Sequence, residues 1–296
     1  QQAIEHYTFD DFWKSYSMRY KYGEIEAPAL LVSGWYDNLV HETFKLFHGW
    51  TTQARSPEAR KLTKLLIGPW SHGPIGVPVP GTIGFGDQAE MDFVEEMLRW
   101  YDRRLTGIDN GMDDEPPVHI FVMGENAWRF ENEWPLARTQ YTDYYLHSGG
   151  SANTMRGDGT LSIAPSGDEP PDQYRYDPED PVPTLGGQIM AKPPITVSGP
   201  WDRRPVERRG DVLVYVTERL ERDVEVTGPV SLTLYASSSA PDTDFTGTLV
   251  DVHPDGKAII ICEGLLRARF RDSIEEPTLV EPGQVYELKV DMWETS

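Results

Sequence analysis

The chain has 296 residues, long enough for two domains with cores of their own. Its 39% hydrophobic content, with nine tryptophans and fourteen tyrosines, is that of a globular protein and excludes wholesale disorder. A formal charge of −21 argues against the basic face that nucleic acid or an anionic membrane requires, and the lone cysteine, Cys262, excludes an intrachain disulfide.

In chain order, residues 1–23 carry Tyr7, Phe9, Phe12, Trp13, Tyr16, Met18, Tyr20 and Tyr22, too many aromatics for a free tail. Asp10-Asp11 ahead of Phe12 marks a helix start, and the segment reads as the end of a cap subdomain. Two similar stretches follow. The first, Pro28-Ala29-Leu30-Leu31-Val32-Ser33-Gly34-Trp35-Tyr36-Asp37, and the second, Leu62-Thr63-Lys64-Leu65-Leu66-Ile67-Gly68-Pro69-Trp70-Ser71-His72, are short apolar runs closed by glycine and an aromatic-rich turn. Strands of a parallel sheet covered on both faces have this pattern, because polar alternation disappears. Between them, Phe44, Phe47 and Trp50 recur at three-residue steps and predict a helix over residues 42–53 that covers the sheet. Pro57 and the charged residues 58–61 then lead into the second strand. Residues 73–86 form a Gly/Pro-rich loop with too few apolar residues to join the core. Residues 91–105 place Phe93, Val94, Met97, Leu98, Tyr101 and Leu105 on one face of an amphipathic helix, with Gly107 as its stop.

The acidic, proline-ended residues 109–117 read as a domain boundary. Beyond them, residues 118–123 and 143–147 read as strands, and residues 148–210 as a long irregular wrapping segment. A period of two then dominates: Val230, Leu232 and Leu234; Leu266, Ala268 and Phe270; Leu288, Val290 and Met292. The turn His253-Pro254-Asp255-Gly256-Lys257 suits a hairpin. The fold class expected is therefore α/β plus all-β, with a parallel sheet followed by a β-sandwich of jelly-roll style.

Chemistry in open α/β sheets sits outside the carboxyl ends of the strands. Asp37 and His72 follow two successive strands, and this order suggests the last two members of a Ser…Asp…His triad. Taken singly, an aspartate before asparagine is an ordinary turn residue and a loop histidine is ordinarily just exposed; the pair at successive strand ends carries the reading. No serine lies in the Gly-x-Ser-x-Gly elbow that a nucleophile requires: Ser33 sits within a strand and Ser71 is one residue off. The serine precedes the aspartate in that fold, so it is expected in an N-terminal portion that this chain, which starts at Gln1, lacks. The chain alone is then expected to be inactive. Asp242, Asp244, Asp251, His253 and Asp255 fail the spacing of a calcium loop, and His41 and His48 fail a zinc spacing. No metal and no cofactor are expected. Arg203-Arg204 and Arg208-Arg209, the basic cluster, are expected to pair with carboxylates.

The motifs Gly34-Trp35-Tyr36-Asp37 and Leu66-Ile67-Gly68-Pro69-Trp70-Ser71-His72 resemble the acid and histidine motifs of the cocaine esterase/X-prolyl dipeptidyl-peptidase family of acyl hydrolases. Residues 122–129, residues 176–184 and Asp242-Thr243-Asp244-Phe245 are similar in the same order, so the resemblance covers nearly the whole chain. It implies an α/β-hydrolase domain with an inserted helical cap, followed by a jelly roll. On this division residues 1–23 end the cap, residues 24–108 are the C-terminal part of the hydrolase domain, and residues 109–296 are a jelly roll that stops short. The resemblance assigns the orienting acid to Asp37 and the general base to His72, and puts the serine and an oxyanion-hole tyrosine in the absent N-terminal portion. The amino-acid ester hydrolases of this superfamily carry acidic residues two and three positions after the aspartate; here Leu39 and Val40 stand there. An apolar wall suits an uncharged acyl group, because an ammonium beside it would be desolvated without a partner. Leu39 and Trp35 are accordingly expected to line the substrate site. The function expected is serine hydrolysis of a small-molecule ester or amide. The alternatives are an X-prolyl dipeptidyl-peptidase or acylase of the same family, and a non-catalytic β-sandwich binding module. No nucleic-acid or membrane partner is expected, a homo-oligomer is compatible, and the absence of a signal-peptide pattern points to the cytoplasm.

Overall fold

The computed structural model describes residues 2–190 and 192–296; Gln1, the first residue of the expected cap segment, lies outside the described residues. The helices are α1 (Gln2–Glu5), α2 (Asp11–Tyr16), α3 (Val40–Gln53), α4 (Pro57–Leu62), α5 (Phe93–Tyr101) and α6 (Arg204–Glu207). The strands are β1 (Leu30–Tyr36), β2 (Lys64–Ser71), β3 (Val118–Val122), β4 (Ala127–Glu131), β5 (Tyr145–His147), β6 (Thr160–Ser162), β7 (Gly228–Ala236), β8 (Asp244–Val252), β9 (Ala258–Arg267) and β10 (Tyr286–Thr295).

One sheet has the order β1-β2-β3-β4, with β1, β2 and β3 parallel and β4 returning antiparallel to β3. The sheet thus runs across residues 109–117, where composition suggests a boundary, because β3 finds its ladder on β2. Helix α3 covers it: Phe44 and Phe47 pack with Trp35, Tyr36, Leu65, Ile67, Val118, Ile120 and Phe121 in a buried cluster. The charged residues before β2 form α4, a helix not anticipated from sequence. Ser56 caps it, accepting from the N–H groups of Glu58 and Ala59, and Pro57 stands at its first turn, where no N–H is needed.

Two expectations for residues 73–107 are corrected. The loop after β2 does reach the core, since Val79 and Phe85 are buried in that cluster. Its Gly/Pro backbone lies close on the sheet, with Val79 N–H donating to Pro69 O at 2.9 Å. The apolar face expected of the following helix points outward: Val94, Leu98, Tyr101 and Leu105 are 60, 58, 53 and 77% exposed, and Trp100 is the buried residue. Ion pairs of Arg99 with Glu115 and of Arg103 and Arg104 with Asp113 fasten this orientation. The helix passes into a π-helical turn at Asp102–Thr106 and stops at Gly107, whose φ of +76° is the left-handed conformation glycine tolerates.

Further along, β7 pairs antiparallel with β10 and β8 with β9. The hairpin turn between β8 and β9 is closed by His253 N–H donating to Lys257 O at 2.9 Å. The two pairs meet around Cys262, Val290 and Met292, with Val230, Leu232 and Leu249 against them. Approach is close where Gly264 stands: a Cβ there would lie 1.9 Å from Asp291 O. The alternation at 266–270 is strand only to Arg267; residues 268–270 turn into a 3-10 helix.

Candidate active site

The register of β1 and β2 brings Asp37 and His72 together. Leu30 to Gly34 pair in step with Lys64 to Gly68; then the ladder slips, and Tyr36 pairs with Ser71. The residues that follow, Asp37 and His72, leave neighbouring strand ends side by side. The slip falls at Pro69, which has no N–H to give a ladder. Gly34 permits the bulge, since a Cβ there would lie 2.2 Å from Trp70 O.

Asp37 folds back over the strand end, its N–H donating to Gly34 O at 2.9 Å. Its carboxylate is largely buried and accepts three hydrogen bonds. Oδ1 takes the Leu39 N–H at 2.9 Å and faces His72 Nδ1 at 3.1 Å; Oδ2 takes the Ser33 hydroxyl at 3.2 Å. Against an ionised carboxylate, Nδ1 must carry the proton, which leaves Nε2 as the imidazole's acceptor. The His72 side chain is 44% exposed and that of Asp37 11%. Nε2 has no hydrogen-bond partner among the described residues, and the nearby Ser71 Oγ accepts from Gly73 N–H instead. The arrangement can take a proton at Nε2 while holding the resulting cation against a carboxylate.

Leu39 lies beside this pair and is 46% exposed. The other two apolar positions are corrected. Val40, the first residue of α3, is fully buried in the core cluster between that helix and the sheet. Trp35 is also fully buried; its Nε1 donates to Phe121 O at 2.7 Å and its ring packs against Phe44 and Trp134. It belongs to the core because strand alternation turns it toward α3, away from the strand end. Ser33 escaped the sequence reading except as a failed nucleophile. The signal was there: a hydroxyl interrupting an apolar strand four residues before the aspartate.

Of the remaining polar candidates, Arg203 donates to Leu185 O at 2.7 Å, Arg208 and His48 have no ion pair among the described residues, and most of the others are ion-paired. Arg204 pairs with Asp202, and Arg209 with Asp211 and Asp180. Asp242 and Asp244 pair with Arg269 and Arg267. His41 pairs with Asp291 and Glu294.

Comparison with known proteins adds the following. Residues 110–296 match the family described as the X-Pro dipeptidyl-peptidase C-terminal non-catalytic domain, and residues 1–74 match X-Pro dipeptidyl-peptidase (S15 family). A cocaine esterase from Rhodococcus sp. (strain MB1 Bresler) is 43% identical over 100% of this chain and 50% of its own length. A putative serine esterase from Mycobacterium bovis is 31% identical over 86% of this chain and 38% of its own. An aminopeptidase structure from a marine sediment Thaumarchaeota archaeon superposes with a TM-score of 0.82 at 25% identity, covering 100% of this chain and 49% of that one. The chain spans half or less of the length of these relatives.

Proposed function

The chain belongs to the cocaine esterase/X-Pro dipeptidyl-peptidase (S15) family, and from that premise we propose that the complete protein is a serine hydrolase that cleaves an ester or amide of an uncharged or hydrophobic acyl group. The observation that carries this reading is the 3.1 Å contact between His72 Nδ1 and Asp37 Oδ1 at neighbouring parallel strand ends. In this reading a serine outside residues 1–296 attacks the acyl carbonyl and its proton passes to His72 Nε2. Asp37 keeps the imidazole in the Nδ1–H tautomer and stabilises the imidazolium. The imidazolium then protonates the departing alcohol or amine, leaving an acyl-enzyme. Water, deprotonated by the same nitrogen, opens that ester and the serine regains its proton. Leu39 offers an apolar wall beside the site.

Two surfaces support completion by further hydrolase sequence. Strand β1 lies at the sheet's edge although its last four residues are buried, and α5 exposes its apolar stripe. The antiparallel pairs β7–β10 and β8–β9 are read as part of a jelly roll. Residues 1–23, 24–108 and 109–296 are read as cap end, hydrolase portion and β domain.

The test is turnover of short-chain p-nitrophenyl esters by the complete protein. His72→Ala and Asp37→Asn should each lower kcat by about 10³-fold or more with folding unchanged, and the isolated 296-residue chain should show neither turnover nor fluorophosphonate labelling. Turnover that survives His72→Ala breaks the assignment. A preference for X-Pro p-nitroanilides over neutral esters replaces the neutral-acyl reading by dipeptidyl-peptidase chemistry.

A further inference from the structure

We propose that Ser33 is a positioning residue for the Asp37–His72 pair: its hydroxyl fixes the plane of the Asp37 carboxylate and thereby the tautomer of His72. Ser33 stands on β1 after Leu30-Leu31-Val32, where an apolar side chain would be the ordinary occupant, and it is only 2% exposed. A hydroxyl buried in a strand costs free energy unless it is hydrogen-bonded. Among the described residues its one partner is Asp37 Oδ2, at 3.2 Å.

The geometry gives that contact a consequence beyond satisfying the hydroxyl. A carboxylate held at one oxygen can still rotate about its Cβ–Cγ bond and present either lone pair, or neither, to a neighbour. Here both oxygens are held. Leu39 N–H grips Oδ1 from the start of α3, and Ser33 grips Oδ2 from within β1. The two grips come from opposite sides of the turn that begins where Asp37 N–H meets Gly34 O. The acceptor direction left on Oδ1 is the one that His72 Nδ1 occupies. Remove the Ser33 hydroxyl and Oδ2 is released, leaving only the Leu39 N–H and His72 itself on Oδ1, around which the carboxylate plane can swing. His72 is 44% exposed, so water can then replace the carboxylate at Nδ1, and the proton has no reason to stay there.

This inference rests on reading Asp37 and His72 as acid and base, but its test does not depend on turnover. The complete protein, labelled with 15N-histidine, reports the tautomer of His72 through its two ring nitrogen shifts at a pH where the imidazole is neutral. His72→Gln assigns the resonances. Wild type should be predominantly Nδ1–H. In Ser33→Ala the population should move toward Nε2–H, while circular dichroism shows the fold retained. An unchanged tautomer population in folded Ser33→Ala overturns the proposal, because a merely space-filling serine would give that result. Should Ser33→Ala not fold, Ser33→Cys fills nearly the same volume with a weaker donor; a smaller shift in the same direction is expected, and none overturns the proposal. In the complete enzyme Ser33→Ala should lower kcat about tenfold at unchanged KM. Turnover that persists in His72→Ala would count against the parent reading and leave the tautomer result standing.

Discussion

His119 on β3 has its imidazole stacked 4.0 Å from the Phe130 ring and tilted at 52° to the Trp128 ring 4.8 Å away. Burial pushes its pKa down to about 4, from an ordinary 6.5. The folded chain therefore holds this ring neutral while the unfolded chain would protonate it first. Its contribution to stability is complete above about 6.5 and is lost as pH falls through about 4. The amount is on the order of 3 kcal/mol. His119→Phe, which keeps the stack without the proton site, should lose less stability than wild type between neutral pH and pH 4 in denaturant titrations. Parallel losses in the two proteins would show that His119 is not the titrating group. At this same scale the site was half legible. Asp37 and His72 announced themselves because each ends an apolar run, and strand ends are where such sheets put chemistry. Trp35 and Ser33 did not, because a run buried on both faces carries no alternation to say which side chain turns toward the helix and which toward the turn.

His41, the second residue of α3, is clamped by β10: Nε2 meets Asp291 at 3.2 Å, Nδ1 meets Glu294 at 3.0 Å, and Trp293 between them lies parallel to the ring at 5.7 Å. The clamp is built on an irregularity in the β10 ladder between Asp291 and Glu294, where Trp293 takes a left-handed φ of +69°. Burial alone would lower the imidazole pKa, but the hydrogen bonds to Asp291 and Glu294 outweigh it and raise the pKa to about 9. Lys45, one turn along α3, adds a weaker positive field at Asp291 while its ammonium pairs with Glu42 at 2.8 Å. Because the folded value lies above the unfolded one, the clamp contributes fully below about 6.5 and is lost as pH rises through about 9. The exposed Asp291 screens part of the effect, which leaves on the order of 2 kcal/mol. His41→Gln should flatten the alkaline loss of stability between pH 7 and 10, and an alkaline loss identical to wild type would mean that the clamp contributes nothing. Neither this contact nor the outward turn of α5 was legible in the sequence. Periodicity reports that a helix has an apolar stripe, not which surface it meets; Val94, Leu98 and Leu105 form the expected stripe, yet Trp100 and the Arg99, Arg103 and Arg104 ion pairs decide which side faces the sheet. Where the period was two and one face was buried, as in β7 and β10, pattern and structure agree.

Across the whole molecule, the sheet that ends with β4 at Glu131 and the antiparallel pairs from β7 onward are distinct in pattern, yet hydrogen bonds join them. The Tyr36 hydroxyl at the end of β1 donates to Ile260 O on β9 at 3.2 Å, with both residues buried. Met123 N–H, just past β3, donates to Ser296 O at 3.1 Å, and Phe9 N–H donates to Ile274 O at 3.0 Å. Such contacts depend on the approach of backbone carbonyls from distant segments, which no residue type encodes, so composition makes the two regions look more separable than they are. Their consequence is cooperativity. A buried hydroxyl or carbonyl left without its partner costs more than the bond itself contributes, so neither region opens along this seam without exposing the other. Cys262 on β9 provides the probe: it is fully buried, and that burial drives its thiol pKa far above the ordinary range, so it should react with a thiol reagent only when β9 opens. Hydrogen exchange of the β2 amides reports the parallel sheet. The two signals should follow one curve in denaturant, and Tyr36→Phe should shift that curve by about 1 kcal/mol without splitting it. Thiol labelling at a denaturant concentration where β2 stays protected would mean two independent folding units, with the Tyr36 bond a contact rather than a coupling.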